Sequence, residues 1–217
     1  MAVLITKMNG EMEPFREDKL DRSLTRAGAA KDVREHIIGH IKEELREGMT
    51  TQEIYQHAFE LLKSGARRPV AARYSIKRAV LDLGPSGFPF EQFVGEVLKA
   101  IGYTNIKIGA ALRGKCAPHE VDVTATDTNG VHMAAEAKFH NSLGIKTDLK
   151  VALYVKARWD DLRAGGANID EGWIITNTRF TRDAARYGAC NNLHLLGWDY
   201  PKERGLEILI GETRVHP

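Results

Sequence analysis

The segment HEVDVTATDTNGVHMAAEAKFH, residues 119–140, holds the densest potential chemistry in the chain. Val121, Val123 and Ala125 alternate with Asp122, Thr124 and Thr126. Past a turn, Val131, Met133, Ala135 and Ala137 alternate with His132, Ala134, Glu136 and Lys138. A period of two predicts a β-hairpin with one apolar and one polar face. Turn length decides which acids meet, because a one-residue slip reverses every side chain. A two-residue loop at Asn129–Gly130 would set Asp122 opposite Ala137, whereas a loop of Thr128, Asn129 and left-handed Gly130 pairs Asp127 with Val131 and Asp122 with Glu136. Only the second register places Val121, Val123, Val131 and Met133 on a common buried face. Two opposed carboxylates with Lys138 two residues past Glu136 suit a divalent cation, since oxygen ligands favour Mg2+ or Mn2+, which polarise phosphoryl oxygens. On residue types alone, an ion pair between strands at the surface is the commoner outcome of such a pattern.

Upstream, PFEQFVGEVLKAIGY carries Phe90, Phe93, Val94, Val97, Leu98 and Ile101 on one helical stripe that Gly102 stops. Glu91 lies at the edge of that stripe and can enter a crevice, while Glu96 faces water. Asn105–Ile108 reads as a strand and residues 109–120 as a loop. Gly109–Lys115 spells most of a phosphate loop, but Cys116 replaces its Ser/Thr and Pro118 forbids the helix that should follow, so the match is chance. His119, His132 and His140 flank the acids without forming a compact ligand set and read as phosphate or surface contacts. Lys146, Lys150, Lys156 and Arg158 fall on the helix expected after Lys138, where they could track a DNA backbone or form a solvated face. Cys116 and Cys190 cannot build a four-cysteine zinc site and are expected as one buried and one partly exposed free thiol.

The first eighty-odd residues read as a hairpin and four helices. Val3, Ile5 and Lys7 lead to an Asn9–Gly10 turn, with Met12–Phe15 returning. One helix begins near Asp18 with Leu20, Leu24 and Ala27 and ends at Gly28; a second carries Val33, Ile37, Ile38, Ile41 and Leu45 and ends at Gly48. Thr50 or Thr51 caps a third through Ile54, Ala58, Leu61 and Leu62, and Arg68–Pro69 opens a fourth reaching about Leu83. Gly84-Pro85-Ser86-Gly87 is the best linker. Between Leu62 and Leu81, Lys63, Arg67, Arg68, Arg73, Lys77 and Arg78 are unaccompanied by any acid, a stretch that attracts phosphates or simply stays solvated. Lys7 before the turn and Lys19 in a first helical turn sit near backbone N–H groups that favour anions. A length of 217 residues suits two modules, and 43% hydrophobic with 28% charged residues excludes disorder as the main theme. No apolar run approaches the roughly 20 residues of a spanning helix, so the chain is expected in the cytoplasm, away from membranes.

Two resemblances attach to these residues. ITKMNGEMEPFREDKLDRSLTRAGA and GMTTQEIYQHAFELLKSGARRPVAARYSIKRAVLDL resemble the ATP-cone, a nucleotide-sensing module, over about residues 1–84. The resemblance implies an ATP or dATP effector, with adenine against Ile5, phosphates near Lys7 and Lys19, ribose or phosphate-linked groups near Glu13 and a base contact at Thr51. The chain departs from the family at Met8, where arginine is frequent, and at Leu81–Asp82, where some members carry lysine; Arg73, Lys77 or Arg78 could substitute.

Asp122 followed by Glu136-Ala137-Lys138 resembles the PD-(D/E)xK nuclease signature. FEQFVGEVLKAIGY and GWIITNTRFTRDAARYGACNNLHLLGWD are similar to the opening helix and closing strand–helix–strand of Mrr-type restriction endonucleases, so residues 88–217 are expected to form such a domain. The implied fold is α/β: an N-terminal ATP-cone, then a restriction-endonuclease-like α/β/α domain with a mixed sheet. The implied activity is Mg2+- or Mn2+-dependent hydrolysis of DNA, with Asp122, Glu136 and the Ala137 carbonyl as metal ligands, Lys138 acting on the attacking water and Glu91 as accessory acid. Where Mrr enzymes commonly show Gly-Asp-Gly-Gly, this chain has Ala117-Pro118-His119-Glu120, so Glu120 is a possible further acid. Partners implied are DNA, ATP or dATP, and further copies of the chain in a homo-oligomer. A non-cleaving, nucleotide-sensing DNA-binding regulator is the alternative. The resemblance also implies a small helical segment beyond Pro217.

Overall fold

The computed structural model describes residues 3–7, 10–64, 68–142, 144–215 and 217. Met8, Asn9 of the expected turn and Arg67 of the basic stretch lie outside them. The chain forms two compact units, Met1–Arg78 and Ala79–Pro217.

In the first unit, β1 (Leu4–Thr6) pairs antiparallel with β2 (Met12–Pro14), placing Ile5 opposite Glu13. Gly10 closes the turn at φ 82°, a left-handed conformation that glycine adopts without a steric penalty. Four helices follow: α1 (Glu17–Arg26), α2 (Lys31–Glu44), α3 (Thr51–Ser64) and α4 (Arg68–Leu81). Leu20 and Leu24, then Ile37, Ile38 and Ile41, then Ile54, Ala58 and Leu62 bury the expected stripes in one core with Ile5 and Tyr74. Each fully buried Leu or Ile contributes about 1.5–3 kcal/mol. The cap of α3 is Thr50: its hydroxyl accepts from the Glu53 N–H at 3.1 Å, and the Glu53 carboxylate accepts from the Thr50 N–H at 2.8 Å. The cap is tied to the hairpin, because Thr6 N–H donates to the Met49 carbonyl at 3.0 Å. Within the basic stretch, Arg73 is structural, its Nε donating to the carbonyl of Ala27 at 2.7 Å.

The second unit opens with α5 (Phe88–Ala100), followed by β3 (Thr104–Arg113), β4 (Pro118–Thr126), β5 (His132–Lys138) and the short β6 (Lys146–Thr147). It closes with α6 (Leu149–Ala164), β7 (Glu171–Thr176), β8 (Arg179–Phe180), α7 (Arg182–Cys190), β9 (Leu193–Leu196) and α8 (Leu206–Thr213). The central sheet has the order β3-β4-β5-β7-β9; its first two pairings are antiparallel and its last two parallel, with α6 and α7 as crossovers. Ile174 and Ile175 are adjacent on β7 and both fully buried, so both sheet faces are covered. Gly95 of α5 sits against Ile106 and Ile108, while Ala152, Val155, Trp159 and Leu162 of α6 pack with Ala134 and Ile174.

Three expectations are corrected. The loop expected over residues 109–120 is mostly strand: β3 runs on through Arg113 and β4 starts at Pro118. Small residues such as Gly109, Ala110 and Ala111 carry little strand preference, and the pairing is imposed by the sheet. Lys146 lies in β6 and not on the following helix. Both cysteines are exposed and free, so neither is the buried thiol expected.

Candidate functional site

The β4–β5 ladder pairs Val123 with Ala135 and Thr126 with His132, and the Asp127 N–H donates to the Val131 carbonyl at 2.9 Å. Gly130 is left-handed at φ 83°. This is the three-residue-loop register, which sets Asp122 across from Glu136. The last paired residues toward that end are Val123 and Ala135, and beyond them a side chain replaces the ladder: the Asp122 carboxylate accepts from the Ala137 N–H at 2.7 Å. The polar face of the hairpin is only partly solvated. Ala134 is fully buried and the Glu136 side chain is only 13% exposed, because α6 covers them.

The acids at this end share an electrostatic environment. Burial pushes the Asp122 carboxyl up, aided by Glu120, against the Ala137 N–H and the charges of Arg158 and Lys138. Burial and the Asp122 charge push Glu136 up, opposed by Arg158 and Lys138. Glu91 on α5 is pushed up by burial and then by Asp122, Glu120 and Glu136. The structure therefore brings Asp122, Glu136 and Lys138 within electrostatic reach of one another, and Glu91 within reach of Asp122, Glu120 and Glu136, with Glu120 exposed at the rim. Crowding carboxylates makes each harder to ionise, and a cation among them relieves that strain.

The donor chemistry fits Mg2+ or Mn2+, which take one or two carboxylates, a carbonyl such as that of Ala137, and retain waters. Among the described residues, no three His, Cys, Asp or Glu side chains form a ready cage. Glu136 is held by an arginine: Arg158 Nη1 donates to Glu136 Oε2 and to the carbonyl of Glu120, the latter at 3.1 Å. Arg158, a possible DNA contact by its sequence position, is instead paired inside the site, and local sequence does not show this pairing. Its one signal was Tyr154 four residues earlier, whose ring lies 4.6 Å from the guanidinium.

Each of the three histidines that flank the acids has a neighbour. His119 meets Asp161 at 2.8 Å, and Asp161 also accepts from the N–H groups of Cys116 and Ala117, which drives its carboxyl down to about 2. Asp161, on α6, thereby shapes the β3–β4 turn from a distance in sequence. His132 contacts Thr126 at 3.2 Å. His140 contacts Thr147 at 3.0 Å, beginning a buried hydroxyl chain through Thr176 to Thr178, and burial followed by the Lys138 charge lowers its pKa. Lys156 is paired with Asp160 at 2.6 Å.

In the first unit, Ile5 is 5% exposed and belongs to the core. Lys7 and Lys19 are held by Glu11 at 2.6 Å and Glu13 at 2.9 Å, and the Lys19 contact pulls the Glu13 carboxyl down. Thr51 begins α3 one residue after the cap. The hairpin and the start of α3 thus bring Lys7, Glu13, Lys19 and Thr51 onto one small framework.

Residues 3–82 match the ATP cone domain. An uncharacterised protein of Archaeoglobus fulgidus is 36% identical over 111 residues, which is 51% of this chain, and the chain spans 62% of that relative's length. The crystal structure of AF1548, a protein of unknown function, superposes with a TM-score of 0.57 at 32% identity, covering 61% of this chain and 69% of that one. A repair endonuclease from Pyrococcus abyssi is more distant, with a TM-score of 0.41 and 21% identity over 52% of this chain and 46% of its own.

Proposed function

The chain belongs to the same family as AF1548 and carries an ATP cone domain over residues 3–82, and from that premise we propose that its second unit is a divalent-metal-dependent DNA endonuclease modulated by ATP or dATP at the cone. One observation carries the reading: Asp122 and Glu136 meet across the β4–β5 register where the strand pair opens, with their carboxyls pushed up by burial and Lys138 on the same strand face. Such pairs of mutually perturbed acids mark sites built for charge that is not yet present.

A divalent cation at Asp122, Glu136 and the Ala137 carbonyl would polarise a non-bridging phosphoryl oxygen. The remaining work belongs to the chain. Lys138 orients the attacking water and stabilises negative charge that develops on the phosphorane oxygens. Its charge acts on both Asp122 and Glu136. Glu91, whose carboxyl is pushed up by burial and then by three neighbouring acids, exchanges a proton with water entering the site. In the cone, Lys7 and Lys19 exchange their glutamate partners for phosphates of ATP or dATP, with Ile5, Glu13 and Thr51 completing the pocket. Nucleotide acts by changing the association of cones, because a ligand shifts only an equilibrium between states it binds unequally.

Supercoiled plasmid incubated with the protein tests this. Nicking or linearisation is expected with Mg2+ or Mn2+ and not with EDTA, with Lys138→Ala and Glu136→Ala folded but inactive. ATP or dATP should alter rate and mass, and Lys19→Ala should abolish that response. Cleavage at equal rates by all variants refutes the assignment of residues. One observation favours the second reading, a non-cleaving nucleotide-sensing DNA-binding regulator: Arg158 already neutralises Glu136. Under that reading no cation produces cleavage, and DNA binding persists in EDTA.

A further inference from the structure

Arg158 is buried against the acid proposed above as a metal ligand: its side chain is 10% exposed and that of Glu136 13%. Nη1 serves both Glu136 and the Glu120 carbonyl, Tyr154 stacks on the guanidinium at 4.6 Å, and Nε is buried with no hydrogen-bond partner among the described residues. A buried N–H without an acceptor is costly, and guanidinium has donors only, so the side chain stands ready for one more anionic or carbonyl oxygen. Glu136 Oε2 already accepts from Nη1, so a divalent cation that takes this carboxylate brings a second positive centre beside the guanidinium.

We propose that Arg158 is an internal competitor for the cation site: it holds Glu136 until a divalent cation takes Asp122 and Glu136, and the released guanidinium then binds a non-bridging oxygen of a DNA phosphodiester. The inference rests on the metal-site reading above. Tyr154 supplies the pivot. At 55% exposure its ring faces solvent, one helical turn from Arg158, so the guanidinium can leave Glu136 while keeping its aromatic contact. A planar fork of N–H donors matches phosphate as well as carboxylate, and the unpartnered Nε gives the fork its second tooth. Metal loading and DNA binding are thereby coupled through one side chain.

The test reads Mn2+ affinity by calorimetry at slightly alkaline pH without DNA, for wild type, Arg158→Gln, Arg158→Lys and Glu136→Gln. It then reads affinity for a fluorescein-labelled DNA duplex with Ca2+ in place of Mg2+. Losing a charge-assisted bond to Glu136 removes the competitor, so Arg158→Gln should bind Mn2+ about tenfold tighter than wild type and DNA about tenfold more weakly. Arg158→Lys, which keeps the charge but not the fork, should fall between them; it carries the comparison if Arg158→Gln does not fold. Equal Mn2+ affinity in wild type and both Arg158 variants, with Glu136→Gln weakened, overturns the competition and leaves the metal site standing. Mn2+ binding by none of the four proteins, or binding that Glu136→Gln leaves intact, overturns the metal-site reading and this inference with it.

Discussion

Replacing Asp122 by Asn and by Ala separates its two roles. The carboxylate accepts from the Ala137 N–H at 2.7 Å, and burial holds its pKa above the ordinary 3.8. Asn keeps an acceptor for that N–H and removes the charge; Ala removes both. Leaving a buried N–H unpaired costs about 1–3 kcal/mol, so the Ala variant should lie that far below the Asn variant in EDTA. For a unit of this size the gap is roughly 3–10 °C in Tm. The pH dependence has a definite sign. A carboxyl whose pKa is higher folded than unfolded lends stability that is fully present below the unfolded value and lost as pH rises through the folded value. Asp122→Asn should therefore match wild type in acid below the ordinary aspartate value and become the more stable protein toward neutral pH. Urea denaturation followed by tryptophan fluorescence isolates the relevant unit, since Trp159, Trp173 and Trp198 all lie in Ala79–Pro217. If Asp122→Asn is destabilised at neutral pH as much as Asp122→Ala, the charge is favourable in the free protein and the strained-acid account is wrong.

Other substitutions probe the scaffold. A Cβ on Gly172 would lie 2.3 Å from Cδ1 of Trp159, so Gly172→Ala should cost about 1–3 kcal/mol by forcing α6 off the sheet, with Trp159→Leu recovering part of the loss in a double-mutant cycle. Thr50→Ala breaks the cap of α3 and should destabilise the first unit by about 0.5–2 kcal/mol, read by circular dichroism as an earlier transition while tryptophan fluorescence of the second unit is unchanged. Lys19→Ala should weaken ATP and dATP binding by calorimetry without lowering the stability of the first unit, because its ion pair with Glu13 is largely exposed.

Strict patterns made much of this fold legible. The alternation from Val121 to Lys138 fixed a register, because only one loop length put the apolar side chains on one face, and the stripes of α1 to α3 and α5 follow helical spacing, although Leu45 falls past the end of α2 and Leu45, Leu61 and Ile101 are only partly buried. Thr50 could not be told from Thr51 as a cap until Glu53 was seen to reach back to it. The strand over Ala110–Arg113 was illegible, since small residues borrow their conformation from the neighbours they pair with. The polar face of the β4–β5 hairpin looked solvated because period two reports alternation and not what covers each face; α6, a long-range partner, settled that. For the same reason Asp161 shaping the Cys116 turn and Arg158 holding Glu136 were hidden: both depend on helix-to-strand contacts that leave little trace in local sequence.

A crystal grown with saturating Mn2+ and measured at the manganese absorption edge tests the central claim most directly. The account predicts an anomalous peak shared by the carboxylates of Asp122 and Glu136, beside the Ala137 carbonyl, with Arg158 turned away from Glu136. A map with no peak at Asp122 and the Arg158–Glu136 pair intact would contradict it.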